Sequence, residues 1–291
     1  MSSMLQASPA PETDLAPLRA ELDRLDSAVH DLLMRRAEVV GRIAATGVKG
    51  RVAMRPGREA SIIRRLLARH AGKLPATGIV RIWRELIVAN TSLQGMFSVA
   101  VCDEDPTLAF TAVAREHFGP LTPLRLHRSP TQALGDVRAG LVTAAILPLP
   151  AEGEPDATAW WTALLHRDEP RLHIVARLPF WAPRSDGAPD VQAVVVSAAA
   201  PDPSGEDRSL LGLEIALDTS RAQVTAALAA AGFVPGASIL RRGQGSPVAH
   251  ALVDVDGFVT DADPRLAALT AALRSSVVLG AYAVPLSGDV A

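Results

Sequence analysis

The run from Leu15 to Ile43 constrains this chain most. Leu15, Leu18, Leu22, Leu25, Val29, Leu32, Leu33, Val39, Val40 and Ile43 recur at the spacing of one helical face. Thr13 or Asp14 is placed to cap such a helix, and Pro17 falls in the first turn, where proline is tolerated. The predicted helix is roughly 30 residues, or about 45 Å, long. That is too long for a compact monomeric bundle this small. Gly47, Gly50 and Pro56 break the pattern, and Pro56 suits the first position of a second helix ending near Gly72. Pro75 and Thr77 open a third, "TGIVRIWRELIVANTSLQG", closed by Gly95. Residues 14–95 are therefore expected to be all-helical, behind a disordered tail at 1–13.

From Phe97 the period changes. "FSVAV", "PLRLH", "LVTAAILPL" and "RLHIVARLPF" read as strands, separated by helices beginning near Thr107, at Ser129 and Pro130, and near Thr158. This alternation predicts an α/β region over 97–185 with a mostly parallel sheet. "WAPRSDGAPD" follows as a polar break. After the strand "VQAVVVSA", the segments "SLLGLEIAL", "RAQVTAALAAAG", "ASILRR", "VAHALVDVDG", "DPRLAALTAALR" and "VVLGAYAVPL" give the order βαββαβ, a ferredoxin-like pattern within 191–287. The fold class expected is thus α plus α/β.

Composition excludes several functions. The 291 residues carry 29 Lys plus Arg against 31 Asp plus Glu, so no global positive field exists to hold a polyanion. No nucleic-acid partner is expected. The single cysteine, Cys102, rules out a disulfide framework and reads as a buried thiol or, less simply, a reactive one. No two of the seven histidines have the i, i+4 spacing of a helical metal pair, and no metal is predicted. No G-x-G-x-x-G, Walker loop or G-x-S-x-G occurs, so nucleotide-cofactor and serine-hydrolase signatures are missing. The start "MSSMLQASPAPETD" has no basic region followed by an apolar one, and no apolar run reaches about 18 residues. The reading is a cytoplasmic protein, with neither export nor membrane insertion.

The chemistry gathers in the helical region. Arg19 and Arg36 lie beside the apolar seam, where an arginine either snorkels to solvent or meets a carboxylate. "RPGREASIIRRLLARH" adds Arg55, Arg58, Glu59, Arg64, Arg65 and Arg69.

Here the residues carry a resemblance. "LRAELDRLDSAVHDLLMRRAEVVGRIA", "RPGREASIIRRL" and "IVRIWRELIVANTSLQ" resemble, in order, the three helices of the all-helical chorismate mutases. That family rearranges chorismate to prephenate for phenylalanine and tyrosine synthesis, as an intertwined homodimer without cofactor. The resemblance implies that Arg19 reaches into the partner's site while Arg36 and Arg58 serve their own. It further implies Glu59 on the substrate hydroxyl, Gln94 as donor to the ether oxygen, and Asn90 near a carboxylate. Several arginines suit a dicarboxylate, because guanidinium forks bind carboxylates bidentately. A pericyclic reaction needs no nucleophile, acid or base.

Two departures stand out. The family's lysine near the end of the first helix falls at Thr46 or Gly47, so Lys49 serves only if the loop is reshaped; otherwise it is an ordinary loop lysine. Arg55 stands where some members have aspartate, and has no assigned role. Arg64, Arg65 and Arg69 are expected at a solvated or ion-paired surface.

Downstream, residues 97–285 resemble the prephenate dehydratase and ACT regions of fused mutase-dehydratases. The dehydratase signature is replaced by "VCDEDPTLAF", "LPLPAEGE" and "VQAVV", and roughly a second lobe is missing, so no dehydratase activity is expected. In the ACT-like region, "SRAQV" and "LRRGQG" replace the effector motifs, which favours a packing or dimer-forming module over a phenylalanine site. The primary expectation is a homodimeric chorismate mutase. The alternative is a non-catalytic aromatic amino acid sensor using the ACT-like region.

Overall fold

A computed structural model describes residues 15–46, 54–104, 106–155, 158–182, 184, 186–243 and 245–287. The expected tail at 1–13 and Lys49 lie outside these residues. Two compact units are present, Met1–Lys49 and Gly50–Ala291.

The first unit is described by α1 (Ala16–Ala45), whose 30 residues match the length expected from the apolar spacing. Pro17 sits in its first turn, and the N-cap position is Leu15, which makes no side-chain cap. No residue of α1 is buried. Leu18, Leu22, Leu25, Val29 and Leu32 are all exposed, Leu32 by 63%.

The second unit is built on a nine-stranded sheet. Its elements are α2 (Pro56–Ala68), α3 (Ala76–Ser92), β1 (Val99–Cys102), α4 (Ala109–Phe118), β2 (Leu124–His127), α5 (Pro130–Arg138), β3 (Ala144–Pro148), a 3-10 turn (Trp160–Leu164), β4 (His173–Leu178) and β5 (Trp181–Ala182). Then follow β6 (Ala193–Ser197), β7 (Asp207–Ile215), α6 (Arg221–Ala230), β8 (Pro235–Arg242), β9 (Ala249–Asp256), α7 (Arg265–Ala272), β10 (Ser275–Ala283) and β11 (Leu286–Ser287). The strand order is β2-β1-β3-β6-β4-β10-β7-β9-β8, while β5 and β11 pair separately.

The sequence pattern explains the layers. In β1 and β3, Val99, Val101, Ala144 and Ile146 face one cluster, with Ile63 of α2, Val80 of α3 and Val113 of α4. Their neighbours Ala100, Cys102, Ala145 and Leu147 face the other, with Leu134 of α5 and Trp161. Strands covered on both faces are apolar throughout, which is why "VAVC" and "AAILP" carry no polar alternation. The βαββαβ segment packs α6 and α7 on Leu211, Leu213, Val253 and Val255. Its strand order β10-β7-β9-β8, antiparallel throughout, is that of a ferredoxin-like unit.

Two expectations are corrected, and one pairing is added to them. The sheet is mixed rather than mostly parallel: β1 pairs parallel with β2 and β3, but β6 inserts antiparallel between β3 and β4. The apolar "AVVVS" signals a buried strand without fixing its direction. The helix expected near Thr158 is only the 3-10 turn, where Trp160 donates to the Pro148 carbonyl (3.1 Å) and Trp161 to the Glu154 carboxylate (3.0 Å). Those anchors pin two bulky side chains at this turn. In addition, β4 pairs parallel with β10, so the α/β and βαββαβ segments share one sheet. At that junction a Cβ on Gly280 would stand 2.0 Å from the Ile174 carbonyl oxygen, so only glycine permits the approach.

Candidate functional site

On α2, buried Gly57, Ala60, Ile63 and Leu67 form the face turned to the sheet. Glu59 lies at the edge of this face and is largely buried. Its carboxylate meets the Arg84 guanidinium of α3 at 3.2 Å, the two side chains being 13% and 9% exposed. Arg84 also stacks over the Phe180 ring, 4.7 Å from its centroid. Burial pushes the Glu59 carboxyl above its ordinary range, and the Arg84 charge pulls it back. Beside them on α4, His117 is buried, and burial together with the Arg84 charge holds its imidazole well below the usual histidine range.

Arg84 escaped the sequence reading, yet its signal was present. It lies at helical spacing with Val80, Ile87 and Thr91, the buried face of α3. A charge on an apolar stripe calls for a buried partner, and Glu59 is that partner.

Further along α3, Asn90 is buried; its amide donates to the Leu86 carbonyl (2.6 Å), and its Oδ1 has no hydrogen-bond partner among the described residues. Gln94, one turn on, donates to the Asn90 carbonyl (3.1 Å). Arg58 exposes its side chain at the start of α2, while its backbone N–H donates to the Asp202 carboxylate (3.0 Å). The α2 and α3 candidates therefore share one helix pair within the second unit. Arg19, exposed, and Arg36, half-buried, belong to α1, where seventeen residues separate them by about 25 Å along the axis.

Two arginines of this stretch find distant partners. Arg55 now has a partner: its Nε donates to the Asp202 carboxylate at 3.1 Å. Arg64 is ion-paired, its Nε 3.7 Å from the Glu206 carboxylate, with its own side chain only 15% exposed. Its guanidinium donates to the Ser204 hydroxyl (2.8 Å), the Glu206 carbonyl (3.1 Å) and the Val284 carbonyl (2.7 Å). These partners lie on two segments remote in sequence, one before β7 and one after β10, so nothing local announced them. Arg65 and Arg69 are exposed as expected. Among the described residues no cluster of His, Cys, Asp and Glu suits a metal, and no helix is long and apolar enough to cross a membrane.

The class is therefore a helical segment bearing an arginine-rich candidate site, fused to an α/β body with a ferredoxin-like end. Comparison with known proteins sharpens this. Residues 18–95 match the family described as chorismate mutase type II. A bifunctional chorismate mutase/prephenate dehydratase of Aquifex aeolicus is 32% identical over 129 residues, 43% of this chain and 34% of that protein. The chain spans about a third of the length of the curated relatives it matches. Among solved structures, a quorum-quenching acylase, GqqA, aligns at a TM-score of 0.48 and 20% identity, covering 65% of this chain and 96% of that one. A prephenate dehydratase of Arthrobacter aurescens in complex with L-Phe aligns at 0.47 and 17%, covering 64% and 89%. Likeness that loose carries no function across. The similarity to the chorismate mutase type II family thus covers residues 18–95, the helical part of the chain.

Proposed function

We propose that this protein is a cofactor-free chorismate mutase, converting chorismate to prephenate in the cytoplasm as a homodimer with sites shared between chains. The observation that carries the reading is the match of residues 18–95 to the mutase family, a segment within which Arg19, Arg36, Arg58, Glu59, Asn90 and Gln94 all fall. The exposed apolar face of α1 supports the dimer, because a soluble monomer rarely leaves such a stripe open. A ligand about 10 Å across cannot touch both Arg19 and Arg36 of one helix, whereas an antiparallel partner helix supplies the second arginine.

In this mechanism Arg36, Arg58 and the partner's copy of Arg19 hold the two substrate carboxylates and fix the compact conformer, lowering the entropic cost of reaching the transition state. Glu59 binds the hydroxyl, and Asn90 donates near a carboxylate. Gln94 meets the negative charge growing on the ether oxygen, with Lys49 as the cationic donor beside it. One bond breaks and one forms within the substrate, so no proton leaves and no cofactor is required.

The sequence divisions 14–95, 97–185 and 191–287 are proposed as the mutase, dehydratase-like and ACT-like parts. The α/β part is proposed to lack dehydratase activity. Open α/β sheets take ligands at the carboxyl ends of strands where the order reverses, here between β1 and β3. At that point Asp103 already occupies the first turn of α4, accepting from the Thr111 N–H (2.8 Å) and hydroxyl (2.7 Å), the place an anionic ligand would take. The test of the mutase reading is to add chorismate to the purified protein and follow its absorbance loss and prephenate formation. Turnover above background is expected; none in a folded dimer would end the proposal.

A further inference from the structure

The N-terminus of α2 is not capped by its own sequence. Arg55 holds the N-cap position and makes no side-chain cap. The cap comes instead from Asp202, on the loop between β6 and β7 and 144 residues from Arg58. One Asp202 oxygen accepts from the Gly57 N–H (3.1 Å), and the other accepts from the Arg58 N–H (3.0 Å) and from Arg55 Nε (3.1 Å). The Asp202 side chain is only 10% exposed. The loop approaches so closely that a Cβ on Gly57 would lie 1.9 Å from the Asp202 carbonyl oxygen. Lower on the helix, Ser61 donates to the Ser204 carbonyl (2.9 Å) and Arg64 to the Ser204 hydroxyl. One loop of the α/β body thus runs along α2, and its carboxylate grips the turn that presents Arg58 and Glu59.

We infer that Asp202 is a positioning residue of the mutase site, setting Arg58 and Glu59 in place from outside the segment that matches the mutase family. This rests on the chorismate mutase reading. A helix start left without a cap frays in its first turn, and that turn here holds both candidate substrate contacts. The neighbouring anion would also repel a dicarboxylate were its charge not taken up by Arg55 and two backbone N–H groups. Arg55 therefore acts through Asp202.

The experiment is steady-state mutase kinetics on the full chain carrying Asp202→Ala, Asp202→Asn or Arg64→Ala, each checked for folding by circular dichroism. Asp202→Ala should raise KM and cut kcat/KM at least about tenfold, as a misplaced contact does. Asp202→Asn keeps an acceptor for the N–H groups and should stay within about threefold of wild type. Arg64→Ala touches the same loop away from the site, and should lower the melting temperature with KM changed less than about twofold. If Asp202→Ala does not fold, Asp202→Glu retains the charge but displaces it, and its KM should still rise. Wild-type KM in folded Asp202→Ala, or in Asp202→Glu where the alanine variant does not fold, or equal KM rises in Asp202→Ala and Arg64→Ala, would overturn the inference. Absence of turnover in the unmodified chain would instead remove the mutase reading, and the inference with it.

Discussion

Arg36 and Gln94 carry the largest residue-scale predictions. Arg36→Ala and Gln94→Ala should each lower kcat/KM about a hundredfold or more while the protein stays folded, since in the proposed mechanism each removes a donor to charge on the substrate. Chorismate turnover measures this. The Glu59–Arg84 pair predicts a stability effect: Arg84→Ala leaves a buried carboxylate without its cation and should destabilise by about 3–5 kcal/mol in denaturant unfolding. Replacing both partners by apolar residues of similar volume should cost far less, because no charge is then stranded. His117 adds a pH signature. Its folded pKa lies below its ordinary 6.5, so its contribution to stability is full above about pH 6.5 and is lost as pH falls toward the folded value. Unfolding at pH 7.5 and 5.5 should show a larger drop for wild type than for His117→Gln. Arg58, Glu59, Asn90 and Gln94 are candidates through the family resemblance of the three helices, not through any local pattern of their own. The contacts of Arg64 and Arg55 were not legible, because their partners Ser204, Val284 and Asp202 are about 140 to 220 residues away and no local pattern encodes them.

At the scale of elements, α1 and α2 were the most legible, each for a local reason. Ten apolar residues at helical spacing predict α1, and Pro56 predicts the start of α2. Proline at a first helical position loses no hydrogen bond, so that start is written in the chain. The ferredoxin-like order of β7, α6, β8, β9, α7 and β10 was equally visible, with Ser220 and Gln223 forming a capping box at α6. The direction of β6 was not, since an all-apolar strand has the same signature either way round. The exposed face of α1 sets the element-scale prediction. Leu22→Asp combined with Leu32→Asp should convert the proposed dimer to monomer in sedimentation experiments and abolish turnover, while the sheet body stays folded. A dimer with normal turnover would contradict it.

At the scale of the whole molecule, the mutase match ends at residue 95, but α2 and α3 belong to the same compact unit as the sheet. Ile63 and Val80 share a core with β1, β3 and β4, so the α/β body is structural support for that helix pair even without chemistry of its own. Prephenate incubated with the protein should therefore yield no phenylpyruvate above background; its formation would refute the proposed loss of dehydratase function. The central claim is a chorismate mutase site completed by two chains, and subunit complementation tests it most directly. Chains bearing Arg19→Ala and chains bearing Arg36→Ala, each inactive alone, are co-expressed and the mixed dimers assayed with chorismate. Random pairing restores one intact site in each mixed dimer, and the predicted activity is about a quarter of wild type. No recovery in confirmed mixed dimers, or full activity in either variant alone, would contradict the account.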